Sequence, residues 1–189
     1  MSSIEQARQA ISQLVSKNRY EVMTEVTAIF TELMEPYGIK PVVVGGLAVE
    51  IYTRNQYTTQ DIDLIMGRRD LANEIFFQLG FKKEGRHWFN PDLGISVEIP
   101  NDVLEDADED RIIKVHLPSG RYVYVIGIED IILDRLRACV HWKSTSDCEW
   151  GIRMLKVHRD RLAVDYMILE ARKDHLSTLK KLEEWLKEE

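Results

Sequence analysis

The segment PVVVGGLAVEIYTRNQYTTQDIDLIM, residues 41–66, constrains the fold more than any other part of the chain. Its apolar run Val42–Val44 predicts a short buried β-strand, which ends at the consecutive glycines Gly45 and Gly46. The letters LAVEIYTR, residues 47–54, then predict a helix of about two turns. A strand that turns into a helix through two glycines brings free backbone N–H groups close to a bound anion.

The next strand, DIDLIM at residues 61–66, carries two acids among apolar residues. Asp61 and Asp63 are two positions apart, so their carboxylates share one face of the strand while Ile62 and Leu64 share the other. Neighbouring carboxylates repel each other, and burying them without a partner is costly. Mg²⁺ relieves this repulsion, because it binds one or two protein carboxylates and takes its other ligands from water and phosphates.

Two further residues fit the same site. Glu98, in the predicted strand GISVEIP, supplies a third carboxylate if that strand lies beside the Asp61 strand. Three carboxylates are enough to hold two Mg²⁺ ions, which clamp the attacking and leaving oxygens of a phosphoryl transfer. Thr59, two residues before Asp61, offers a hydroxyl donor to phosphate.

Each of these residues also has a purely structural interpretation. The two glycines alone suit an ordinary tight turn. The aspartates alone suit the solubility charges of an edge strand, although apolar residues on the opposite face argue against an edge. Glu98 is equally compatible with a solvated position at the edge of a sheet.

The remaining pattern predicts an α+β domain, with a mixed β-sheet flanked by helices and a helical C-terminal part. Two amphipathic helices are expected at about residues 3–16 and 19–36, and hairpins around KKEGRHWFN and RIIKVHLPSGRYVYVIG. We expect a core in residues 1–127 and helices in residues 128–189. In the second of these helices, Ser146 and Glu149 have the spacing of a capping box.

The amino-acid composition limits the kinds of partner that we expect this protein to bind. The net charge is −7, which disfavours binding to duplex nucleic acid, because neutralisation of phosphates drives that affinity. The N-terminus lacks the pattern of a signal peptide, and no apolar run reaches the length of a membrane span. We therefore expect a soluble cytoplasmic protein with Cys139 and Cys148 as free thiols.

The acidic stretch NDVLEDADED, residues 101–110, imitates the start of a calcium loop. Arg111 replaces the glycine of that motif, and Leu117 replaces its closing glutamate, so we do not expect calcium there. A solvated acidic loop is the default interpretation, and selection of a cationic acceptor is the alternative.

The order strand, Gly-Gly turn, helix and Asp-x-Asp resembles the nucleotidyltransferases of the DNA polymerase β superfamily. The closer resemblance is to small bacterial members, including toxin-type enzymes of abortive-infection systems, and TTQDIDL contains their Thr-x-Asp-Ile-Asp-Leu pattern. The resemblance implies that Gly45 and Gly46 grip nucleotide phosphates. It also implies that Asp61 and Asp63 bind Mg²⁺ and that a third carboxylate completes the site.

The resemblance continues more weakly at EDIILDRLRACVHWKSTSDCEW. In that family a basic residue and a later aspartate of this segment face the nucleotide, which implies these roles for Arg135 and Asp147. Lys143 lies eight residues after Arg135, roughly on one helical face, and is also placed to reach phosphates. Arg135 replaces a lysine that is usual in the toxin-type enzymes, and 14 residues separate Gly46 from Asp61, slightly more than usual.

Three functions compete. The first is Mg²⁺-dependent transfer of NMP from an NTP to an acceptor, which is a protein, a small molecule or an RNA end, with a possible regulatory protein partner. The second is a catalytically degenerate module that binds a nucleotide or a protein. A glycosyltransferase is a third, since these enzymes also use Asp-x-Asp, but it leaves the Gly-Gly turn unexplained.

Overall fold

The computed structural model describes residues 3–188 and divides the chain into two compact units. The first unit comprises Met1–Glu105 and Ile112–Ile126, and the second comprises Asp106–Arg111 and Gly127–Glu189. The first unit contains all the strands of the described sheet, and the second is helical.

The described residues of the first unit form four α-helices: α1 (Ile4–Ser12), α2 (Arg19–Met34), α3 (Gly45–Tyr52) and α4 (Arg69–Gln78). Local capping fixes where the first two begin. Ser3 forms a capping box with Gln6 at the start of α1, and the Asn18 side chain accepts the Glu21 N–H at the start of α2. A 3₁₀ turn, Glu35–Tyr37, follows α2.

Seven strands form one mixed sheet: β1 (Val42–Val44), β2 (Asp61–Ile65), β3 (Lys82–Glu84), β4 (His87–Asn90), β5 (Ile95–Glu98), β6 (Ile113–His116) and β7 (Tyr122–Val125). Their order is β3-β4-β5-β2-β1-β7-β6. The β1–β7 and β2–β5 pairs are parallel and the other neighbours are antiparallel. The predicted α+β class and both hairpins are confirmed.

The strand β2 occupies the centre of this sheet, hydrogen-bonded to β1 on one side and β5 on the other. Ile62 and Leu64 are fully buried on its apolar face. The core of the first unit also holds an aromatic cluster, in which Phe30 of α2 stacks on Phe76 of α4 with ring centroids 4.2 Å apart. The central position excludes the edge-strand interpretation of the two aspartates.

In the second unit, the part of the chain up to residue 188 forms four α-helices: α5 (Ile128–His141), α6 (Thr145–His158), α7 (Val164–Asp174) and α8 (Leu176–Lys187). Short 3₁₀ turns occur at Glu109–Arg111 and Arg159–Arg161. The prediction of a helical C-terminal part is confirmed. None of the helices between residues 3 and 188 is long and apolar enough to cross a membrane.

Two helix starts differ from the prediction. The helix α3 begins at Gly45 rather than after the glycines, so both glycines belong to its first turn. The helix α6 is capped by Ser144, whose side chain accepts the Asp147 N–H, and not by Ser146. Several Ser and Thr residues in sequence offer equivalent caps, and the turn after α5 decides which one is used.

The prediction of free thiols is wrong. Cys139, near the end of α5, forms a disulfide with Cys148 in the first turn of α6. The two Cα atoms are 4.7 Å apart, because the short turn after α5 brings the two helix ends together. A spacing of nine residues does not reveal this proximity unless the turn between the helices is known.

The acidic segment docks within the second unit. The Asp108 N–H donates to Asp130 Oδ2 at 3.1 Å, and Asp108 accepts the Asp110 N–H at 2.9 Å. Arg111 lies with its guanidinium 3.7 Å from the centre of the Tyr166 ring and 3.4 Å from Glu129 Oε2. Part of the predicted loop is therefore a packed element and not a solvated one.

Candidate active site

The two aspartates project from the central strand on the same face, as their spacing predicts. Register places Asp61 beside Ser96 and Asp63 beside Glu98 on the parallel neighbour β5. Residues paired in register point to the same face, so the three carboxylates share one surface of the sheet. The Glu98 strand therefore lies beside the Asp61 strand, which was the condition for Glu98 to belong to the site.

The Gly45 backbone lies against the Asp63 carboxylate. Gly45 has φ +57°, in the left-handed region that side chains rarely adopt, and a Cβ atom there would overlap with Asp63 Oδ2. Glycine is therefore required at this position for two separate reasons. The first turn of α3 and the second aspartate form one tightly packed unit.

Gly46 makes an equivalent approach to Thr59. A Cβ atom on Gly46 would lie 2.6 Å from Thr59 Oγ1 and 3.2 Å from the Tyr57 ring. Four predicted phosphate and metal residues thus meet in two close contacts, Gly45 with Asp63 and Gly46 with Thr59. The turn therefore has no space for side chains at either glycine.

Glu50 fixes the loop that leads to the aspartates. This residue of α3 is only 5% exposed, and its Oε2 accepts the Thr59 N–H at 3.3 Å. Burial raises the pKa of the Glu50 carboxyl above its usual range, against the opposing effects of the Thr59 hydrogen bond and of Arg19. The sequence pattern does not mark Glu50 as a site residue, because a glutamate in a two-turn helix is usually a solvated charge.

Glu98 is paired with an arginine from a neighbouring turn. Arg86 Nε lies 2.8 Å from Glu98 Oε1, and His87 Nδ1 lies 3.6 Å from Glu98 Oε2. Glu98 is buried, whereas the Arg86 side chain is 79% exposed. His87 Nδ1 is itself buried and has no hydrogen-bond partner among residues 3–188. Neither Arg86 nor His87 was predicted, since only the pairing of β4 with β5 brings them to Glu98.

Asp61 also has a neighbour that the sequence did not reveal. The Ser96 hydroxyl donates a hydrogen bond to Asp61 Oδ1 across the β2–β5 pair. Ser96 precedes Glu98 by two residues and therefore shares its face. The sequence spacing does not reveal this contact, because it depends on the pairing of β2 with β5.

Carboxylate oxygens are ligands that a hard divalent cation prefers. Within residues 3–188, no three His, Cys, Asp or Glu side chains form a group that could hold a metal ion. An aspartate pair that takes further ligands from water and phosphate meets the requirement of Mg²⁺. The Gly45 backbone lies directly against Asp63, so the turn and the aspartate pair adjoin each other.

The other predicted nucleotide residues lie in the second unit. Arg135 Nη1 donates to Asp147 Oδ1 at 2.7 Å, and the same guanidinium pairs with Asp134 at 2.8 Å. The prediction that Lys143 continues the α5 face is wrong: α5 ends at His141, and Lys143 lies in the following turn with φ +53°. Arg135 and Asp147 are therefore partners of each other.

Comparison with known proteins supports the nucleotidyltransferase assignment. A family model described as "Nucleotidyl transferase of unknown function (DUF2204)" matches residues 22–87, about a third of the chain, which includes both glycines and both aspartates. No curated protein is similar enough to the chain to count as a match.

Solved structures support the fold. An antigenic nucleotidyltransferase-like protein from Paracoccidioides brasiliensis is 14% identical with a TM-score of 0.52, over 89% of this chain and 93% of that one. The solution structure of the antibiotic-resistance factor ANT(2'')-Ia is 20% identical with a TM-score of 0.46, over 80% and 97%. The likeness to the Paracoccidioides brasiliensis protein shows a nucleotidyltransferase-like fold.

Proposed function

We propose that this protein is a nucleotidyltransferase that moves NMP from an NTP to a hydroxyl acceptor and releases pyrophosphate. The observation that carries the proposal is the double close contact of the glycine turn, Gly45 against Asp63 and Gly46 against Thr59. These contacts join a phosphate-binding turn to a carboxylate pair on the central strand. A sequence match to a nucleotidyl transferase family covers the same residues.

In this proposal the predicted site residues have the following roles. The backbone of Gly45 and Gly46, with the Thr59 hydroxyl, holds the triphosphate at the start of α3. Asp61 and Asp63, with Glu98 as the third carboxylate, hold one or two Mg²⁺ ions. When bound, Mg²⁺ neutralises charge on the phosphates and the leaving group. Arg135, Lys143 and Asp147 are proposed to contact the nucleotide, since the family resemblance implies this for two of them.

The reaction is a displacement at the α-phosphorus. The acceptor oxygen forms a new bond to that phosphorus, and the bond from it to the bridging oxygen of the β-phosphate breaks. The bridging oxygen keeps the electron pair and leaves as part of pyrophosphate. The acceptor proton passes to a carboxylate, and Asp63 or Glu98 is the proposed recipient because the two are paired in register.

One observation favours the alternative, a module that binds nucleotide without turnover. Glu98 is engaged by Arg86, so the third carboxylate already has a cationic partner. The two functions differ in whether labelled NMP reaches any acceptor. The finer toxin-type assignment, with a regulatory protein partner, belongs to the enzyme proposal and is favoured if the labelled acceptor is a macromolecule.

The test is calorimetric titration of ATP, GTP, CTP and UTP with Mg²⁺ into the wild type and an Asp61→Asn/Asp63→Asn variant. A Glu5→Gln/Glu74→Gln variant is the control, because it removes two exposed acids of the same unit far from the predicted site residues in sequence. We expect the wild type and the control to bind one or more nucleotides and the Asn variant to lose binding. Labelled-NMP transfer to a cell extract then identifies the acceptor.

The proposal fails if no nucleotide binds the wild type with Mg²⁺, or if the Asn variant binds and transfers like the wild type. Binding without any transfer refutes the enzyme and leaves the binding module. Circular dichroism of each variant shows whether it is folded, so that a loss of binding is not confused with a loss of structure.

A further inference from the structure

Glu50 is a buried carboxyl that the proposed reaction does not use directly. It lies five residues after Gly45 on α3, with 5% of its surface exposed. Burying a carboxyl group is unfavourable unless it accepts hydrogen bonds or meets a cation. Its position behind the phosphate-binding turn therefore needs an explanation.

The hydrogen bonds of Glu50 join both parts of the loop between α3 and β2. Its side-chain Oε2 accepts the Thr59 N–H at 3.3 Å, and its backbone oxygen accepts the Asn55 N–H at 3.0 Å. The loop bends at the first of these points, where Arg54 and Asn55 have positive φ, +52° and +65°. One residue thus anchors the loop at its bend and again just before the aspartates.

The side-chain hydrogen bond acts on a residue of the site. Thr59 is the residue that fills the space beside Gly46 and offers its hydroxyl there. It is also linked to Asp61, whose backbone N–H lies 3.5 Å from Thr59 Oγ1. A shift of Thr59 would therefore move a proposed phosphate donor and disturb the start of β2.

We propose that Glu50 is a positioning residue for nucleotide binding, and that its side-chain oxygen holds Thr59 against the Gly45–Gly46 turn. This inference rests on the proposed function, because it takes Thr59 and the Gly45–Gly46 turn to bind the triphosphate of a nucleotide. The role requires a hydrogen-bond acceptor at this point and does not require a negative charge. Arg19 and Tyr20, at the start of α2, are the ionisable groups that interact with Glu50 from outside its own helix.

The test compares Glu50→Ala, Glu50→Leu and Glu50→Gln with the wild type. Loss of a hydrogen bond to a buried acceptor is expected to weaken Mg²⁺-NTP binding about tenfold in the Ala and Leu variants. Glu50→Gln keeps the acceptor oxygen and is expected to stay within about threefold of the wild type. The Leu variant retains the side-chain volume, which protects the test if Glu50→Ala does not fold.

Tyr52→Phe is the matched control. It removes a different hydrogen bond of the same helix, in which the Tyr52 hydroxyl donates to the Ile126 oxygen at 2.6 Å. We expect this variant to be less stable to heat yet to bind nucleotide like the wild type. A general loosening of α3 would instead weaken binding in Tyr52→Phe as well.

The outcomes distinguish a failure of the positioning role of Glu50 from a failure of the proposed function. If the wild type binds nucleotide and the Ala or Leu variant binds equally well, the positioning role is refuted and the proposed function stands. If Gln is as impaired as Ala, the carboxylate charge is needed and the acceptor role is refuted. If the wild type itself binds no nucleotide, the proposed function fails and takes this inference with it.

Discussion

Replacing Gly45 with alanine tests the packing on which the proposed function rests. The left-handed backbone of Gly45, at φ +57°, costs an alanine about 1–2 kcal/mol. The added methyl group also overlaps with the Asp63 carboxylate, and overpacking of this kind costs about 1–3 kcal/mol. We therefore expect Gly45→Ala to lower the free energy of unfolding by about 2–5 kcal/mol.

Gly94→Ala separates the two contributions. Gly94 lies in the β4–β5 turn with φ +63°, and no heavy atom lies within 4 Å of its Cβ position. This variant should incur only the backbone cost of about 1–2 kcal/mol. Urea denaturation measures both values, and Mg²⁺-NTP titration should show weaker binding for Gly45→Ala alone, since only there is Asp63 displaced.

The result that refutes this reasoning is a Gly45→Ala variant no less stable than Gly94→Ala. In that case the Asp63 carboxylate has room to move, and the turn and the carboxylate pair are not packed as one unit. A native domain is stable by about 5–15 kcal/mol, so both variants are expected to fold and to give measurable transitions.

Two further predictions concern stability. Burial raises the pKa of Glu50 above its ordinary value of 4.5, so its stabilising contribution is present below that value and is lost as pH rises through the higher folded-state pKa. Glu50→Gln, which stays neutral, should therefore gain stability relative to the wild type as pH rises above 4.5 in urea titrations, and a constant difference would contradict the shift. Reduction and alkylation of the Cys139–Cys148 disulfide, which closes a loop over a separation of nine residues, should lower the free energy of unfolding by about 2–3 kcal/mol. Equal stability of the reduced and oxidised protein would show that the second unit does not depend on this link.

The parts of the site that the sequence predicted are those set by local pattern. Alternation in DIDLIM places Asp61 and Asp63 on one face whatever the neighbouring strands are, and Gly-Gly after an apolar run predicts a tight turn. The sequence could also indicate that Glu98 belongs to a strand. These features depend on short-range geometry, which is why they were accessible from sequence.

The residues that the sequence missed depend on long-range pairing. Arg86 and His87 reach Glu98 only because β4 pairs with β5 in one register, and Ser96 reaches Asp61 only because β5 is parallel to β2. Glu50 reaches Thr59 through the fold of a loop with two residues at positive φ. None of these contacts follows from spacing, because each is decided by where distant segments meet.

The path of residues 106–111 limits how this protein can be shortened. The chain leaves the first unit after Glu105, enters the second, and returns at Ile112 before leaving again after Ile126. A truncation after Ile126 would keep Arg111 and Asp108 but delete Glu129, Asp130 and Tyr166, against which they pack. No single cut therefore yields either unit with all of its own residues. A version made of two fragments would still need residues Asp106–Arg111, which belong to the second unit but lie within the sequence of the first.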